Sequence, residues 1–302
     1  MKPYLHFLVF LTLAGSICFS CEGQDLPDQE TSSEDWIQQL EARNGKGKVK
    51  RDYIIGAIEN TYAGHSGQGA AVLDGVLYRL YNTGLCQTYD MTDPANPEKI
   101  ASFKLGSHQS SNHSNCAQFY VEENGDTLLY VSGLKNGKAY VERISPTWAS
   151  LVQVITIPQM EILENTNTLN VVCGDDGFLW LFGPSGAGDK LIFAKAHRPL
   201  LSQRDALLSE DDILEVWKED GYVYSQDVSQ GGMVYNGLLF FLFGATGSRA
   251  HLAVYDTQTH RKISDIKLSG IFPEEPEDCE LLPQGIMIVT NRGNYYYIVQ
   301  PY

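Results

Sequence analysis

The sequence is poor in basic residues, with 22 Lys and Arg against 37 Asp and Glu and a formal net charge of −15. A nucleic-acid-binding protein needs a basic face, so this balance argues against a nucleic-acid partner. After residue 20 the chain also lacks an apolar stretch long enough to span a bilayer, and we expect no transmembrane helix in the mature protein.

Two motifs that would indicate a specific chemistry are incomplete. Residues 183–190, GPSGAGDK, resemble a phosphate-binding loop, but Asp189 separates Gly188 from Lys190 and neither Ser nor Thr follows. We predict a turn between strands there. His108 and His113 share the loop 106–115, GSHQSSNHSN, but no Cys or carboxylate stands at a metal-ligand spacing. The loop composition favours hydrogen bonding to a hydroxyl-rich ligand, or a solvated loop, over a metal site.

One stretch of the sequence, residues 68–105, occurs twice. It reads QGAAVLDGVLYRLYNTGLCQTYDMTDPANPEKIASFKL, and the second copy begins at Gln230 as QGGMVYNGLLFFLFGATGSRAHLAVYDTQTHRKISDIKL. Each copy contains apolar runs separated by turn signals, and Asp-Gly or Asn-Gly between such runs predicts a tight hairpin. Three or four antiparallel strands in about 40–50 residues are typical of a propeller blade.

This template predicts an all-β protein, a β-propeller of five blades. The blades start near residues with polar side chains: Gln68, Gln118, Asn170, Gln230 and Asp278. The wider gap before the fourth blade holds residues 199–217, with apolar residues at helical spacing and acidic flanks, which we interpret as a helical insertion. A degenerate sixth blade is the alternative. The last blade has room for three strands, so we expect an N-terminal strand at 53–58 to close the ring and cover the open edge.

The N-terminal residues predict the cellular location of the protein. Residues 1–20 have Lys2, an apolar core at 7–17 too short to span a bilayer stably, and Ser20 before Cys21. This resembles a bacterial lipoprotein signal, which implies a lipidated Cys21, a palmitate-type anchor and an outer-membrane or surface location. An ordinary secretory signal is the alternative. Residues 21–52 then form an acidic tether with a short helix at 32–43 and a basic linker, and residues 53–302 form the propeller domain.

Four cysteines remain in the propeller domain: Cys86, Cys116, Cys173 and Cys279. An even number in an oxidising compartment allows disulfides. Cys86 and Cys116 fall in loops of neighbouring blades, which makes them the candidate pair. Buried free thiols are the alternative.

Polar residues recur where each blade begins. In a propeller the first strand of every blade lines the central channel, so these residues predict a polar funnel that holds a ligand or an ion. The alternative is that they line a water-filled axis and satisfy backbone groups. The predicted ligand-binding residues are His65, Gln68, His108, His113, Asn115, Gln118, Asn167, Asn170, Asp227, Gln230, Glu275 and Asp278.

Carboxylates enter the fourth and fifth blades. Asp227, Glu275 and Glu277 could form an acid–base pair for glycoside hydrolysis, or could coordinate Ca²⁺ together with backbone carbonyls. A plain acidic loop is the alternative. We otherwise expect no cofactor and no metal.

The repeated frame of Gln-Gly, Asp/Asn-Gly, Tyr-Asp, Lys-Ile and Lys-Leu, ending in Glu275-Pro276-Glu277, resembles the secreted five-bladed propellers of the helveticin and teichoic-acid-associated group. Five-bladed glycoside hydrolases share that architecture and take catalytic carboxylates from several blades. This chain departs from them, because amides and a histidine occupy the matched places in blades one to three. We therefore predict a cell-envelope protein that binds carbohydrate or another extracellular polymer. A glycoside hydrolase or lyase and a scaffold subunit of a surface complex are the alternatives.

Overall fold

The computed structural model describes residues 54–58, 64–135, 137–223, 227–245, 249–292 and 295–300. Within these ranges the chain forms five sheets arranged as a five-bladed β-propeller. They contain no α-helix, and none of their helical segments is long and apolar enough to cross a membrane. The predicted signal, tether and short helix lie outside the described residues.

The chain enters the propeller as β1 (Ile54–Ala57) and then builds each blade from the axis outward. Blade one comprises β2 (Gly67–Leu73), β3 (Val76–Tyr81), β4 (Leu85–Asp90) and β5 (Glu98–Lys104). Blade two begins with β6 (Ala117–Val121), β7 (Thr127–Ser132), β8 (Lys138–Ser145) and β9 (Trp148–Thr156). Blade three uses β10 (Asn170–Cys173), β11 (Leu179–Pro184), β12 (Lys190–Ala196) and, after β13 (Asp205–Leu207), β14 (Ile213–Asp220).

Blade four comprises β15 (Ser229–Tyr235), β16 (Leu238–Phe243), β17 (His251–Asp256) and β18 (Arg261–Lys267). Blade five contains β19 (Pro276–Leu282), β20 (Gly285–Thr290) and β21 (Tyr295–Val299), and β1 pairs antiparallel with β21 as its outer strand. The predicted ring closure is therefore confirmed. It joins the first and last strands of the propeller in one sheet, and β1 covers the edge that β21 would otherwise expose.

The hairpin turns follow the predicted chemistry. Asp74 and Gly75 have φ of 48° and 74°, and Asn236 and Gly237 have φ of 50° and 74°. Positive φ at both central residues matches the twist of the flanking strands, and Asp, Asn and Gly adopt it at low cost. Within the 183–190 segment, residues 185–189 form the predicted turn between β11 and β12.

The predicted helical insertion at 199–217 is wrong. This segment contains β13, which pairs in parallel with β9 as a fifth strand of blade two, and most of β14, the outer strand of blade three. Its acidic residues form a 3₁₀ turn at Glu210–Asp212 with Ser209 and Asp212 in a capping box. Over so short a run the apolar residues fit both the helical and the strand period. The segment forms strands because it pairs with the open edges of two sheets.

The hydrophobic core lies between neighbouring blades. Five apolar clusters were found among the described residues, and each joins one blade to the next. Between blades three and four, for example, Phe182 and Phe193 contact Phe241 edge-on, with ring centroids 5.0 and 6.2 Å apart. Blade-to-blade packing therefore supplies the burial that a single sheet cannot.

All four cysteines of the propeller are buried free thiols, so the candidate Cys86–Cys116 disulfide is not formed. Cys86 belongs to the apolar cluster between blades one and two, whereas Cys116 belongs to the cluster between blades three and four. Burial raises the pKa of both thiols well above the usual range. They pack as small apolar side chains, which is the alternative considered from the sequence.

The inner strands of three blades carry a bulge where they enter the channel. One extra residue is accommodated between Gly67 and Ala70, between Ser229 and Gly232, and between Pro276 and Asp278. The repeated Gln-Gly pairs, at 68–69 and 230–231, occupy the first two bulges. A Cβ on Gly231 would lie 2.4 Å from Asp278 Oδ1, and one on Gly69 would lie 2.7 Å from Ser114 O. The glycines therefore allow neighbouring inner strands to approach closely.

Candidate functional site

A cavity of about 500 Å³ lies where the inner strands begin, and we call it the entry cavity. All five blades contribute to its wall, through residues such as Gln68, Asn115, Asn170, Gln230 and Glu275. The lining consists mainly of amides, hydroxyls and carboxylates, together with Lys135. Its size falls in the range of about 300–1,000 Å³ that is typical of small-ligand sites.

The structure brings together only part of the predicted set. The predicted residues that line the entry cavity are Gln68, His113, Asn115, Asn170, Gln230, Glu275 and Glu277. His65 does not line the cavity but contacts a residue that does, since its Nδ1 lies 3.1 Å from Oδ1 of the lining residue Asn82. His108 donates from Nδ1 to Thr83 O at 2.6 Å, and Asn167 packs beside Gly137.

Asp227 lies apart from the entry cavity. It borders a different, smaller space of about 130 Å³ between blades three and four, where His251 Nδ1 is 4.0 Å from its carboxylate. The prediction that Asp227 and Glu275 share one cavity is therefore wrong. Val228 and Ser229, which follow Asp227 in the chain, line the entry cavity, whereas Asp227 itself does not.

Glu275 is held in place by amides at the rim of the entry cavity. Its two carboxylate oxygens accept hydrogen bonds from Gln230 Nε2 and Asn291 Nδ2, both at 2.9 Å. The backbone of Glu275 also accepts a bond from Asn291 N–H at 2.9 Å. These contacts orient the carboxylate before any ligand arrives.

Glu277 lies deeper, in the bulge of β19, and is almost fully buried while its side chain borders the cavity. Burial raises the pKa of Glu277 well above its usual range, and the neighbouring charge of Glu275 adds to this, whereas Arg79 opposes it. The two carboxyl groups of this cavity therefore differ in environment. One is buried beside a like charge, and the other is fixed by amide donors at the rim.

His113 and the loop that carries it are anchored by the fold. Burial, together with the nearby charge of Lys135, lowers the pKa of His113 to about 4, so its imidazole is neutral at pH 7. In the same loop Asn112 is buried and bonds to Ser107 and Ser114. Glu142 of β8 accepts the Ser107 N–H at 2.8 Å. The loop is thus largely structural, with His113 as the side chain that it presents to the cavity.

Polar side chains form the floor of the entry cavity and fill the axis below it, and we call them the axial cluster (Asn115, Gln118, Asn170 and Asp278). The Asp278 carboxyl accepts the N–H groups of Ala70 at 3.0 Å and Ala117 at 3.2 Å, and so links three blades. Asn115 Nδ2 donates to Asn170 Oδ1 at 2.7 Å, and Asn170 Nδ2 donates to Gln230 O at 2.6 Å.

Gln118 completes the axial cluster by reaching across the axis. It pairs with the backbone of Val234, donating to its carbonyl and accepting its N–H at 3.0 Å. All four side chains of the cluster are buried. Gln118 and Asn170 bond to backbone groups of other blades, which agrees with that part of the alternative considered from the sequence.

Sequence reasoning missed several residues of the channel. Lys135 comes from the turn between β7 and β8, and nothing in the repeat marks that turn as part of a site. The far ends of the inner strands were also missed, although their period of two could have pointed to them. Among the described residues, no group of three or more His, Cys, Asp or Glu side chains is placed to hold a metal ion.

No protein-family model matches the sequence, and no curated protein matches it. Among solved structures, the chain is similar to a hypothetical protein from Leishmania major (TM-score 0.51, 11% identity, 88% of this chain and 94% of that one). It is also similar to a mannose phosphorylase from Leishmania mexicana (TM-score 0.50, 10% identity, 88% and 92%) and to a GH43 β-1,3-galactosidase (TM-score 0.44, 12% identity, 78% and 89%). At these identities the likenesses show the β-propeller fold alone.

Proposed function

We propose that the protein binds a carbohydrate in the entry cavity. The observation that carries this proposal is a cavity of about 500 Å³ to which all five blades supply fixed hydrogen-bonding groups. A sugar presents many hydroxyl groups that both donate and accept, and the lining offers carboxylate acceptors, amides of both kinds and a lysine donor. The similarity to the mannose phosphorylase concerns the fold alone, so the proposal depends on the cavity.

Glu275 and Asp227 provide a matched test. Hydrogen bonds to charged groups contribute about 1.5–3 kcal/mol each, so Glu275→Gln should weaken binding roughly 10- to 150-fold. Asp227→Asn, the same kind of change outside the cavity, should leave affinity within about twofold. A glycan array screened with the purified protein would identify the ligand, and titration calorimetry would compare the variants. Equal losses in both variants, or no glycan bound at all, would contradict the proposal.

A second candidate, glycoside hydrolysis, is favoured by the pair of carboxyl groups at the cavity. Glu277, with its raised pKa, is suited to donate a proton, and Glu275 is suited to act as base or nucleophile. Release of reducing ends from a panel of polysaccharides would reveal such activity. Glu277→Gln should then abolish turnover and retain binding. If the unmodified protein binds a polysaccharide without hydrolysing it, the result contradicts the hydrolase function and supports binding only.

We further propose that Cys21 carries a lipid anchor and holds the propeller at the cell envelope, as in the bacterial lipoproteins whose signal the N-terminal residues resemble. The support is the Ser20-Cys21 pair after an apolar core and before an acidic tether. A fatty-acid analogue fed to cells should label the protein and its Cys18→Ala variant, and should fail to label Cys21→Ala. Label that persists on Cys21→Ala would disprove the anchor. Protease treatment of intact cells would then show which side the propeller faces.

A further inference from the structure

A second cavity, of about 280 Å³, opens where the inner strands end, and we call it the exit cavity. All five blades again contribute to its wall, through residues such as Val72, Tyr120, Asp175, Tyr235 and Glu280. The axial cluster lies between the two cavities, with Gln118 also lining the exit side. The volume lies just below the range of about 300–1,000 Å³ for drug-sized ligands, which suits a small occupant.

Glu280 supplies a carboxyl group at the centre of the exit cavity wall. Its side chain is half-buried, with one oxygen 3.3 Å from the backbone N–H of Leu281. Burial raises the pKa of Glu280 to about 8, and the opposing influences, from Leu281 and Val72, are backbone N–H groups. None of the ion pairs found between described residues includes Glu280. In that part of the chain the half-buried carboxyl group therefore has no cationic partner.

The surroundings of Glu280 also favour a cation. Asp175, which accepts the Asn236 N–H at 2.8 Å, places a second carboxylate on the wall. The described residues of this lining include no Lys, Arg or His. Arg198 lies outside it, 4.2 Å from the ring centroid of Tyr120, and its charge is paired with Glu122. The local charge is therefore negative and open to a positively charged ligand.

Aromatic rings complete the wall. Phe119, Tyr120 and Tyr235 border the exit cavity, and Phe119 is fixed by edge-to-face contact with Tyr78 at 5.1 Å. Aromatic faces attract cations through the ring quadrupole, and they pack against the alkyl groups of an organic cation at the same time. An inorganic cation would gain little from these rings and would need more oxygen ligands than the site offers.

We propose that the exit cavity binds a small organic ammonium ion, with its charge beside Glu280 and its alkyl groups against Tyr120 and Tyr235. The site is separate from the entry cavity and does not depend on the carbohydrate proposal. Binding stabilises the ionised form of Glu280, and by linkage the affinity rises as pH increases toward and above the pKa of that group.

Tetramethylammonium, which keeps its charge at every pH, is the probe, and tert-butanol is a neutral control of similar shape. Chemical shifts of the tyrosine rings in the full-length protein, followed by NMR at about pH 9 and about pH 6, report occupancy. We expect saturable binding of tetramethylammonium that is tighter at about pH 9, and no comparable binding of tert-butanol. Equal binding of the two probes, or no saturable binding at either pH, would overturn the proposal.

Glu280→Gln retains the shape of the side chain and removes its charge. It should weaken tetramethylammonium binding about 10-fold or more and abolish the pH dependence, since the coulombic attraction between the ionised carboxylate and the cation is lost. Glu98→Gln, on the exposed outer strand β5, is the matched control and should bind like the unmodified protein. Tyr235→Leu should lower the affinity about 2- to 5-fold. Unchanged affinity in Glu280→Gln would disprove the assignment, and loss in both Glu variants would point to general charge attraction only.

Discussion

The entry and exit cavities lie at opposite ends of the same five inner strands, yet their linings differ. The entry cavity is about 500 Å³ and is walled by amides, hydroxyls, carboxylates and Lys135. The exit cavity is about 280 Å³ and is walled by aromatic rings, Asp175 and Glu280. The first suits a neutral ligand with many hydroxyl groups, and the second suits a small cation.

The difference arises from where each set of residues lies along the strands. At the entry three of the five inner strands carry bulges, each of which places one extra residue at the mouth of the channel. At the exit the inner strands run without register shifts into their hairpin turns. The axial cluster separates the two cavities, and its polar groups form hydrogen bonds between blades. Substitutions in the three zones should therefore have different consequences.

The largest expected effect is on stability and comes from the axial cluster. Asp278→Ala leaves the N–H groups of Ala70 and Ala117 buried without acceptors, at about 1–3 kcal/mol each. We expect a loss of about 2–6 kcal/mol in the free energy of unfolding, measured by urea denaturation. Asp278→Asn keeps one acceptor oxygen and should lose clearly less. If the two variants are equally stable, the carboxyl group does not link the blades as described.

A smaller loss of stability is expected at the bulge of β15. Gly231→Ala places a methyl group 2.4 Å from Asp278 Oδ1 and 2.8 Å from Glu277 O, and such overpacking costs about 1–3 kcal/mol. Gly186→Ala, in an exposed turn where the nearest atom is 3.4 Å away, is the control and should change little. Thermal unfolding measures both. A tolerated Gly231→Ala would show that the inner strands can move apart.

Lys135 tests the entry cavity without disturbing the axial cluster, because it is an exposed residue of a turn. Lys135→Met removes one donor from the wall and should weaken carbohydrate binding roughly 5-fold, the effect of about 1 kcal/mol. Tetramethylammonium binding at the exit cavity should be unaffected. Calorimetric titration of each ligand into the variant measures this separation. Loss of both affinities would mean that the two cavities are coupled through the axis.

The last expected effect is the pH dependence of stability contributed by Glu280. Its folded-state pKa of about 8 exceeds its usual value of 4.5, so the folded protein retains a proton that the unfolded chain releases in this window. Stability should therefore fall as pH rises from about 4.5 to above 8. Buried Glu277 and Asp278, whose pKa values are also raised, act in the same direction.

Glu280→Gln isolates the contribution of this residue. At about pH 9 the variant should melt a few degrees above the unmodified protein. At about pH 4 the two proteins should melt at nearly the same temperature, because residue 280 is then mostly uncharged in both, folded or unfolded. Glu98→Gln is again the control. A difference in melting temperature that is independent of pH would show that Glu280 affects packing and not titration.

Much of the fold could be predicted because its signals are local. Asp74-Gly75 and Asn236-Gly237 predict type I′ hairpins from two residues each, and the structure shows positive φ at all four. The strand that closes the ring was predicted because a three-stranded last blade needs a fourth. The helical insertion at 199–217 failed for the opposite reason. β13 and β14 are strands because sheet edges in blades two and three stand open beside them, and local sequence does not report a partner.

The residues of the channel, too, could be predicted where local sequence determines them and could not where distant contacts do. The sequence by itself determined the repeat, the five inner strands and the polar side chains at their start, because periodicity and turn chemistry act over a few residues. Only the tertiary structure decided which of those side chains meet, because bulges and blade-to-blade spacing depend on residues far apart in the chain. Gln118 and Asp278 thereby became blade-to-blade links, Asp227 was left outside the mouth, and Glu280 came to lie among aromatic rings at the far end of the axis.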